Sequence, residues 1–529
     1  MKSKFKKFRK FITYENAYFV IIIFSSLIYM SNMKEVMDLT LYDEASQLRD
    51  GLNIRKGIFP SAQASPIYSV WYAFLSIFAS NNIDLYYINW YTLTIALPTA
   101  LYFLLIAMRL NPLMSYAISM IFLYSRFNYP LWPKTNNFGL LMIILVSLIA
   151  IKLSLSTLTN KIDFYSFLFF VGAYLRPEFL ISGIFYVVFN LKNFKLKLNI
   201  QRLLYLFISF TLIQIFGIPF GNRLTGAFGQ HFAVNYVEKN NLDIIAWDSF
   251  NSIITETFQG GENLIDYFII NPQAFSSHVF FNMQRIPVSF LSYFKPYNEE
   301  FYFLLITIFS IIFIFLRILI YYKKDIFKEI SKDRSISRFL NSNTNKVFIS
   351  IVLPYFITAS LIFPRGHYFL YIFIGLLLIT TYNFRNFLNP PFENLSKKVT
   401  LVFVILLASV THVNTQDKND LYVLEISNFI NNYVDTKDNS SVSIFSGDGN
   451  YCIYVNVNCE HNPGLESSSD YLLYLQQNKI DILIISDRLL KSNEIANPGV
   501  PLNLKNNLSN LGYINKKNIW ETEIFVLNN

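Results

Sequence analysis

The chain has 529 residues, of which 53% are hydrophobic and 18% aromatic, while only 15% carry a charge. Water-soluble domains carry about 25% charged residues, so composition and a mean hydropathy of +0.35 predict a mainly α, polytopic helical membrane protein. The net charge of +9 lies in short basic clusters between apolar runs, which suits lipid headgroups and membrane topology and excludes nucleic acid as a partner.

Residues 1–10 are strongly basic and an apolar run over 17–30 follows. No small-residue cleavage site comes after Met30, so this segment is expected to be an uncleaved signal anchor with a cytoplasmic N-terminus. About eleven apolar spans are expected, near 14–32, 85–108, 112–128, 138–153, 164–176, 178–190, 202–220, 301–322, 347–363, 367–383 and 399–411. The two that flank Arg176 are short and suit a tilted or re-entrant pair. Alternating sides from the N-terminus places the basic loops around 192–202, 323–338 and 385–398 in the cytoplasm, as the positive-inside rule requires. The opposite face receives the loops 34–84, 130–137 and 221–300, the tail from His412, and the turns Arg176-Pro177-Glu178 and Pro364-Arg365-Gly366-His367. Richness in Ile, Phe, Asn, Lys and Tyr suggests AT-biased coding, and with it a bacterial inner membrane.

Within the first external loop, residues 65–75 read as an interfacial amphipathic helix opened by Pro66, with the second half of a bent transmembrane helix as the alternative. The loop 221–300 has a turn at Gly260-Gly261 and room for two or three helices. Its histidines, His231 and His278, lack a partner at metal-ligand spacing and are expected to be packed or solvated. From 412 to 529 the composition becomes more polar, and strands at 442–445, 480–485 and 523–527 alternate with helices at 468–477 and 502–511. That pattern predicts a small soluble α/β domain outside the membrane, following a membrane domain over 1–411. Gly447-Asp448-Gly449-Asn450 has no Gly-Lys-Ser/Thr ending and reads as a tight turn, not a phosphate loop. Cys452 and Cys459 share this domain; a disulfide is open to them in an oxidising exterior, but their spacing does not decide it.

The residues that suggest chemistry gather on the external face. Asp43 and Glu44 are adjacent carboxylates in the first loop; one can serve as general base while the other orients it or the substrate. Arg365 and His367 sit between two apolar spans, where a planar guanidinium suits a phosphate. Arg176 either pairs with Glu178 to brace the turn or contacts substrate, and Lys134 adds a weaker cation beside Trp132 and Pro133. Arg49 and Asp50 read as ordinary loop charges. The set suits a lipid-borne phosphate donor held by cations and a hydroxyl acceptor activated by a carboxylate, with the departing phosphate stabilised electrostatically.

An Asp-Glu pair in the first external loop after a signal anchor resembles the GT-C class of integral-membrane glycosyltransferases, which includes protein O-mannosyltransferases and aminoarabinose transferases. The Pro364-Arg365-Gly366-His367-Tyr368 turn is similar to a Pro-Arg-Tyr-type element of some bacterial branches. About eleven spans followed by an external domain fit the class as well. The resemblance implies an inverting transferase that uses a polyprenyl-phosphate-linked sugar, with a glycan, lipid or protein acceptor, Asp43 as base and Glu44 in support. Arg365, His367, Lys134 and Arg176 would bind the donor phosphate. It names no certain cofactor and leaves divalent-metal dependence open, because no second acidic loop residue stands out. The rival readings are a flippase or transporter of lipid-linked sugars, disfavoured by the scarcity of charge within spans, and a polysaccharide polymerase or ligase.

Overall fold

The computed structural model describes residues 14–128, 133–152, 158–193, 200–219, 221, 223–247, 249–293, 342–388, 421–437, 441–446, 449–462, 474–475, 477–486, 507–520 and 522–528. The protein is mainly helical with a small C-terminal sheet. The helices are α1 (Tyr14–Tyr29), α2 (Met33–Val36), α3 (Asp43–Ile54), α4 (Pro66–Leu75), α5 (Asn82–Ala107), α6 (Pro112–Tyr124), α7 (Thr135–Lys152), α8 (Leu158–Ala173), α9 (Glu178–Asn190) and α10 (Ile200–Phe216). They continue with α11 (Arg223–Asn240), α12 (Phe250–Phe258), α13 (Leu264–Ile270), α14 (Pro272–Ser292), α15 (Asn343–Leu361), α16 (Gly366–Leu388) and α17 (Tyr422–Lys437).

Local sequence explains several boundaries. Asn81, Asn111 and Asn271 cap α5, α6 and α14 with their side-chain oxygens, and Pro112 and Pro272 occupy the first helical position where no N–H is missed. Pro98 lies inside α5 and cannot donate to the Thr94 carbonyl; Asn128 donates to that oxygen instead, at 3.1 Å. Helices α3 and α4 cross closely because Gly51 of α3 faces α4, and a Cβ there would meet Tyr72 Cβ at 2.5 Å and the Ser69 carbonyl at 2.8 Å.

Among the described residues, three helical segments are long and apolar enough to cross a membrane: Glu15–Val36, Asn82–Ala107 and Thr344–Leu361. Shorter apolar helices accompany them at α6, α7, α9 and α10. Helix α10 turns Leu203, Leu206, Phe207 and Phe210 outward, and α9 does the same with Ile184 and Val188. The expected spans over 301–322 and 399–411 lie outside the described residues, as does the basic segment 1–10. Helix α4 forms where an amphipathic helix was expected. The loop after α10 holds four helices, not two or three, because Asn271-Pro272 ends α13 and starts α14 without a spacer.

The C-terminal sheet has strands β1 (Ser441–Ser446), β2 (Asn458–Asn462), β3 (Ile482–Ile485), β4 (Tyr513–Ile519) and β5 (Thr522–Leu527), in the order β2-β1-β3-β5-β4. β1 pairs in parallel with β2 and β3, while β5 runs antiparallel to β3 and β4. The three strands expected from sequence are β1, β3 and β5; β3 is an unbroken Ile-Leu-Ile-Ile run because both of its faces are covered. β2 and β4 were not expected. Both are polar edge strands, and β4 exposes five consecutive residues, including Lys516 and Lys517, which also blunt the edge. Cys452 and Cys459 form a disulfide with a Cα–Cα distance of 5.2 Å. Of the two expected tail helices, only 474–475 and 477 in the first and 507–511 in the second are described; they are helical, the last three residues as a 3-10 turn.

The C-terminal domain is fastened to the first loop. Asp38 accepts from the Val423 and Leu424 N–H groups at 2.8 Å each, and so caps α17 from a distant part of the chain. Tyr454 donates to the Thr40 carbonyl at 2.6 Å, and Asn82 donates to the Ile453 carbonyl at 2.7 Å. One apolar core runs through Leu39, Leu41, Tyr86 and Tyr87 into Ile426, Tyr451 and Tyr454. Asp38→Ala removes a helix cap and is expected to destabilise the protein by about 1–2 kcal/mol. Thermal unfolding of the detergent-solubilised protein, with limited proteolysis of the C-terminal domain, measures it.

Candidate functional site

Helix α3 begins at Asp43, so its two carboxylates lie in the first turn, where the helix dipole favours negative charge. The two side chains diverge. Glu44 is fully buried and Asp43 is exposed.

Glu44 is the hub of a polar network. Its Oε1 accepts from the hydroxyls of Tyr68 and Tyr72, the latter at 2.6 Å, and from Asn89 Nδ2 at 3.0 Å. Its Oε2 accepts from the backbone N–H of Lys134 at 2.9 Å. Asn89 Oδ1 in turn accepts from the indole of Trp71 at 2.8 Å. Burial pushes the Glu44 carboxyl up, and its donors Tyr68, Tyr72 and Lys134 pull against that shift. Glu44 therefore turns inward, and the only support it lends Asp43 is to hold α3 in place.

Lys134 also turns inward, contrary to its expected place among the phosphate ligands. The side chain is buried, its ammonium donates to the Asn128 carbonyl, and it lies 4.1 Å from the centre of the Trp90 ring. Burial lowers its pKa, with Glu44 opposing. The sequence around Lys134 carries no sign of this, because Trp90 and Asn128 reach it through the fold.

Asp43 instead faces a set of cations. It lies within electrostatic range of Arg223 and Arg365, and both of these feel Arg176. Arg176 is buried in the turn between α8 and α9 and donates to Glu178 Oε1 at 3.2 Å. Burial opposes its charge, but Glu178 and the hydroxyls of Tyr368, Tyr355 and Tyr371 outweigh that cost, so its pKa rises. Among the described residues, neither Arg176 Nε nor Glu178 Oε2 has a hydrogen-bond partner. Arg365 is half-buried; burial and then Arg176 push its pKa down, while Tyr368 and Asp43 push the other way. His367 is buried close to Arg176, Arg365 and Arg223. The turn before α16 is held by Tyr293, whose hydroxyl accepts from the Gly366 N–H at 3.0 Å. A side chain at Gly366 would run into the Tyr293 ring, so the turn is restricted to glycine.

Arg223 is the member that sequence reading missed. It opens α11 at an exposed position and donates to the Gln63 carbonyl at 2.7 Å and to Ser65 Oγ at 3.4 Å. Ser65 adopts a left-handed backbone (φ 55°) and donates to the Leu175 carbonyl at 2.8 Å. The first loop, the Arg176 turn and the start of α11 are thereby tied together beside Asp43. An arginine just beyond the apolar run of α10 is the signal that could have found Arg223. Among the described residues, no three His, Cys, Asp or Glu side chains gather at metal-binding geometry.

His231 and His278 are packed, as one of the two expected alternatives had it. His278 Nδ1 lies 3.0 Å from Asn235 Nδ2, and its Nε2 lies 3.1 Å from the Leu361 carbonyl. The consistent assignment has Nδ1 accepting and Nε2–H donating, which requires the neutral ring. Asn282 donates to the Ser360 and Ile362 carbonyls at 3.0 and 3.2 Å, and so fastens α14 to the segment leading into Arg365.

Neither a protein-family model nor a curated protein matches the chain.

Two outcomes are expected from this geometry. Glu44→Gln sets an amide N–H2 against donors and should cost about 1–3 kcal/mol of stability, read as a lower thermal midpoint without substrate. Burial lowers the pKa of His231 to about 3 and of His278 to about 4. Between these values and about 6.5 the unfolded chain binds more protons, so their contribution is full above about pH 6.5 and is lost as pH falls towards 4 and 3. The thermal midpoint should drop from pH 7.5 to pH 5, and less steeply in His278→Gln.

Proposed function

We propose that the protein is a polytopic membrane glycosyltransferase that moves a sugar from a polyprenyl-phosphate donor to a hydroxyl acceptor on the extracytoplasmic face. The observation that carries this reading is an exposed carboxylate, Asp43, within electrostatic range of Arg223 and Arg365, both of which feel Arg176, in a chain with apolar helices long enough to cross a membrane. Outward-facing apolar side chains on α9 and α10 support a lipid environment for that array. The acceptor would approach from the aqueous side at Asp43, and the donor from the lipid side towards the arginines.

In the proposed reaction the acceptor oxygen attacks the anomeric carbon of the donor, and Asp43 takes the acceptor's proton. The bond from the anomeric carbon to the phosphate oxygen breaks, and its electron pair leaves with the phosphate. Arg223, Arg365 and Arg176 stabilise the developing anion, so no separate acid is needed to protonate the leaving group. Direct attack without a sugar–enzyme intermediate inverts the anomeric centre. Arg176 keeps Nε available while Glu178 holds its other end, a geometry suited to receiving one more acceptor atom. Glu44, Lys134 and the C-terminal domain serve this reading by fixing where α3 begins.

Asp43→Asn is expected to lower transfer by about 10²–10⁴-fold while leaving the thermal midpoint unchanged. Arg365→Ala and Arg223→Ala should each weaken donor binding. The assay is sugar transfer by purified protein in lipid nanodiscs, supplied with polyprenyl-monophosphate and polyprenyl-diphosphate sugars in parallel. Full activity in Asp43→Asn would sink the assignment of the base, and a strict requirement for the diphosphate donor would favour a polymerase or ligase.

A further inference from the structure

Trp247 lies in the segment between α11 and α12, beside the cation cluster, and the mechanism above makes no use of it. Its side chain is 42% exposed, which is unusual for an indole so firmly braced. His231 meets it edge-on at 5.3 Å with an interplanar angle of 83°. His231 itself stacks on Phe363 at 5.0 Å, and Phe363 is two residues from Arg365. The Arg365 guanidinium stands 5.6 Å from the centre of the indole. The indole N–H donates to none of the described residues. A large aromatic surface is thus held by a buried histidine set at a steep angle to it and by an arginine that lies over the ring, with the part they do not cover open to solvent.

A sugar ring is the ligand that such a surface next to such a cation would recognise. Pyranoses carry faces of polarised C–H groups, which suit the negative face of an aromatic ring, and their hydroxyls stay free for water or polar side chains. In a glycosyl phosphate the ring begins one bridging oxygen from phosphorus. A phosphate held on Arg365 therefore brings the pyranose within reach of the neighbouring indole. We propose that Trp247 is the stacking platform for the donor's sugar ring and sets the preference for a glycosyl phosphate over a bare phosphate. The proposal rests on reading Arg365 as a phosphate ligand.

Both layers can be tested on the full-length protein in nanodiscs by titration calorimetry with inorganic phosphate, glucose 1-phosphate and N-acetylglucosamine 1-phosphate. The wild type should bind at least one glycosyl phosphate about fivefold or more tightly than inorganic phosphate, a factor typical of one aromatic contact. Trp247→Leu should abolish that preference and leave phosphate affinity within about twofold, while Trp247→Phe keeps most of it. Arg365→Ala should lose both ligands. Thermal midpoints of the variants confirm that each is folded, and Trp247→Gln, which also removes the aromatic face, carries the comparison if Trp247→Leu is not. An unchanged preference in Trp247→Leu, with phosphate binding intact, overturns the platform alone. Absence of phosphate binding in the wild type, or binding untouched by Arg365→Ala, overturns the phosphate reading and the platform with it. Ile244 and Ile245 are also exposed. If the emission lost in Trp247→Leu is quenched by brominated lipid and ignores glycosyl phosphates, the indole belongs to the lipid surface and the proposal is wrong.

Discussion

One buried carboxylate, Glu44, ties together the elements around the first loop. Glu44 accepts from α4 through Tyr68 and Tyr72, from α5 through Asn89, and from the Lys134 backbone before α7. Stripping a carboxylate of water costs several kcal/mol, and hydrogen bonds to a charged group return about 1.5–3 kcal/mol each. The network is therefore worth little in net stability and a great deal in uniqueness, since losing any one donor leaves the others around an unsatisfied charge. Successive helical residues are about 100° apart. Pinning Glu44 inward consequently turns Asp43 outward, and the orientation of the exposed carboxylate follows from the burial of its neighbour.

Near Asp43, three arginines are supplied by three separate connections: the turn between α8 and α9, the start of α11, and the turn before α16. Burial lowers the pKa of both Arg223 and Arg365, and repulsion from Arg176 adds to it. The compensation within the protein is partial, from Glu178 on Arg176 and from Asp43 at longer range. The proposed anion site rests on this incomplete compensation and on the unpartnered buried Nε–H of Arg176, because folding has already met the cost of bringing the charges together. The C-terminal domain braces the same region: its contacts at Asp38, Thr40 and Leu41 continue into α3 itself.

Apolar periodicity made the helical array legible, and the boundaries of α4, α6 and α14 can be rationalised from Pro and Asn alone. The interior strands β1, β3 and β5 were legible for the same reason, whereas β2 and β4 were not. An edge strand such as Tyr-Ile-Asn-Lys-Lys-Asn-Ile buries little and so carries no alternation to read. Within the site, Asp43, Arg176, Arg365 and His367 were marked by charge at the ends of apolar runs. Lys134 carried the same mark and is a buried structural group, because local sequence does not reveal that Trp90 and Asn128 enclose it. Arg223 carried the same mark, just beyond an apolar run, and was overlooked; Trp247 carried none, because it is an ordinary loop residue until α11 and the Pro364 turn come together.

By itself, then, the sequence determined a mainly helical, strongly apolar chain with a polar α/β tail, and it nominated the charged turns on one face. Those properties are local, because span length, capping and strand burial are written in neighbouring residues. Only the tertiary structure decided which carboxylate of the Asp43–Glu44 pair is buried, which cations share a site, and that Cys452 and Cys459 are bonded. Those outcomes depend on distance between segments far apart in the chain, and no local pattern encodes which side chains will compete for the same buried space.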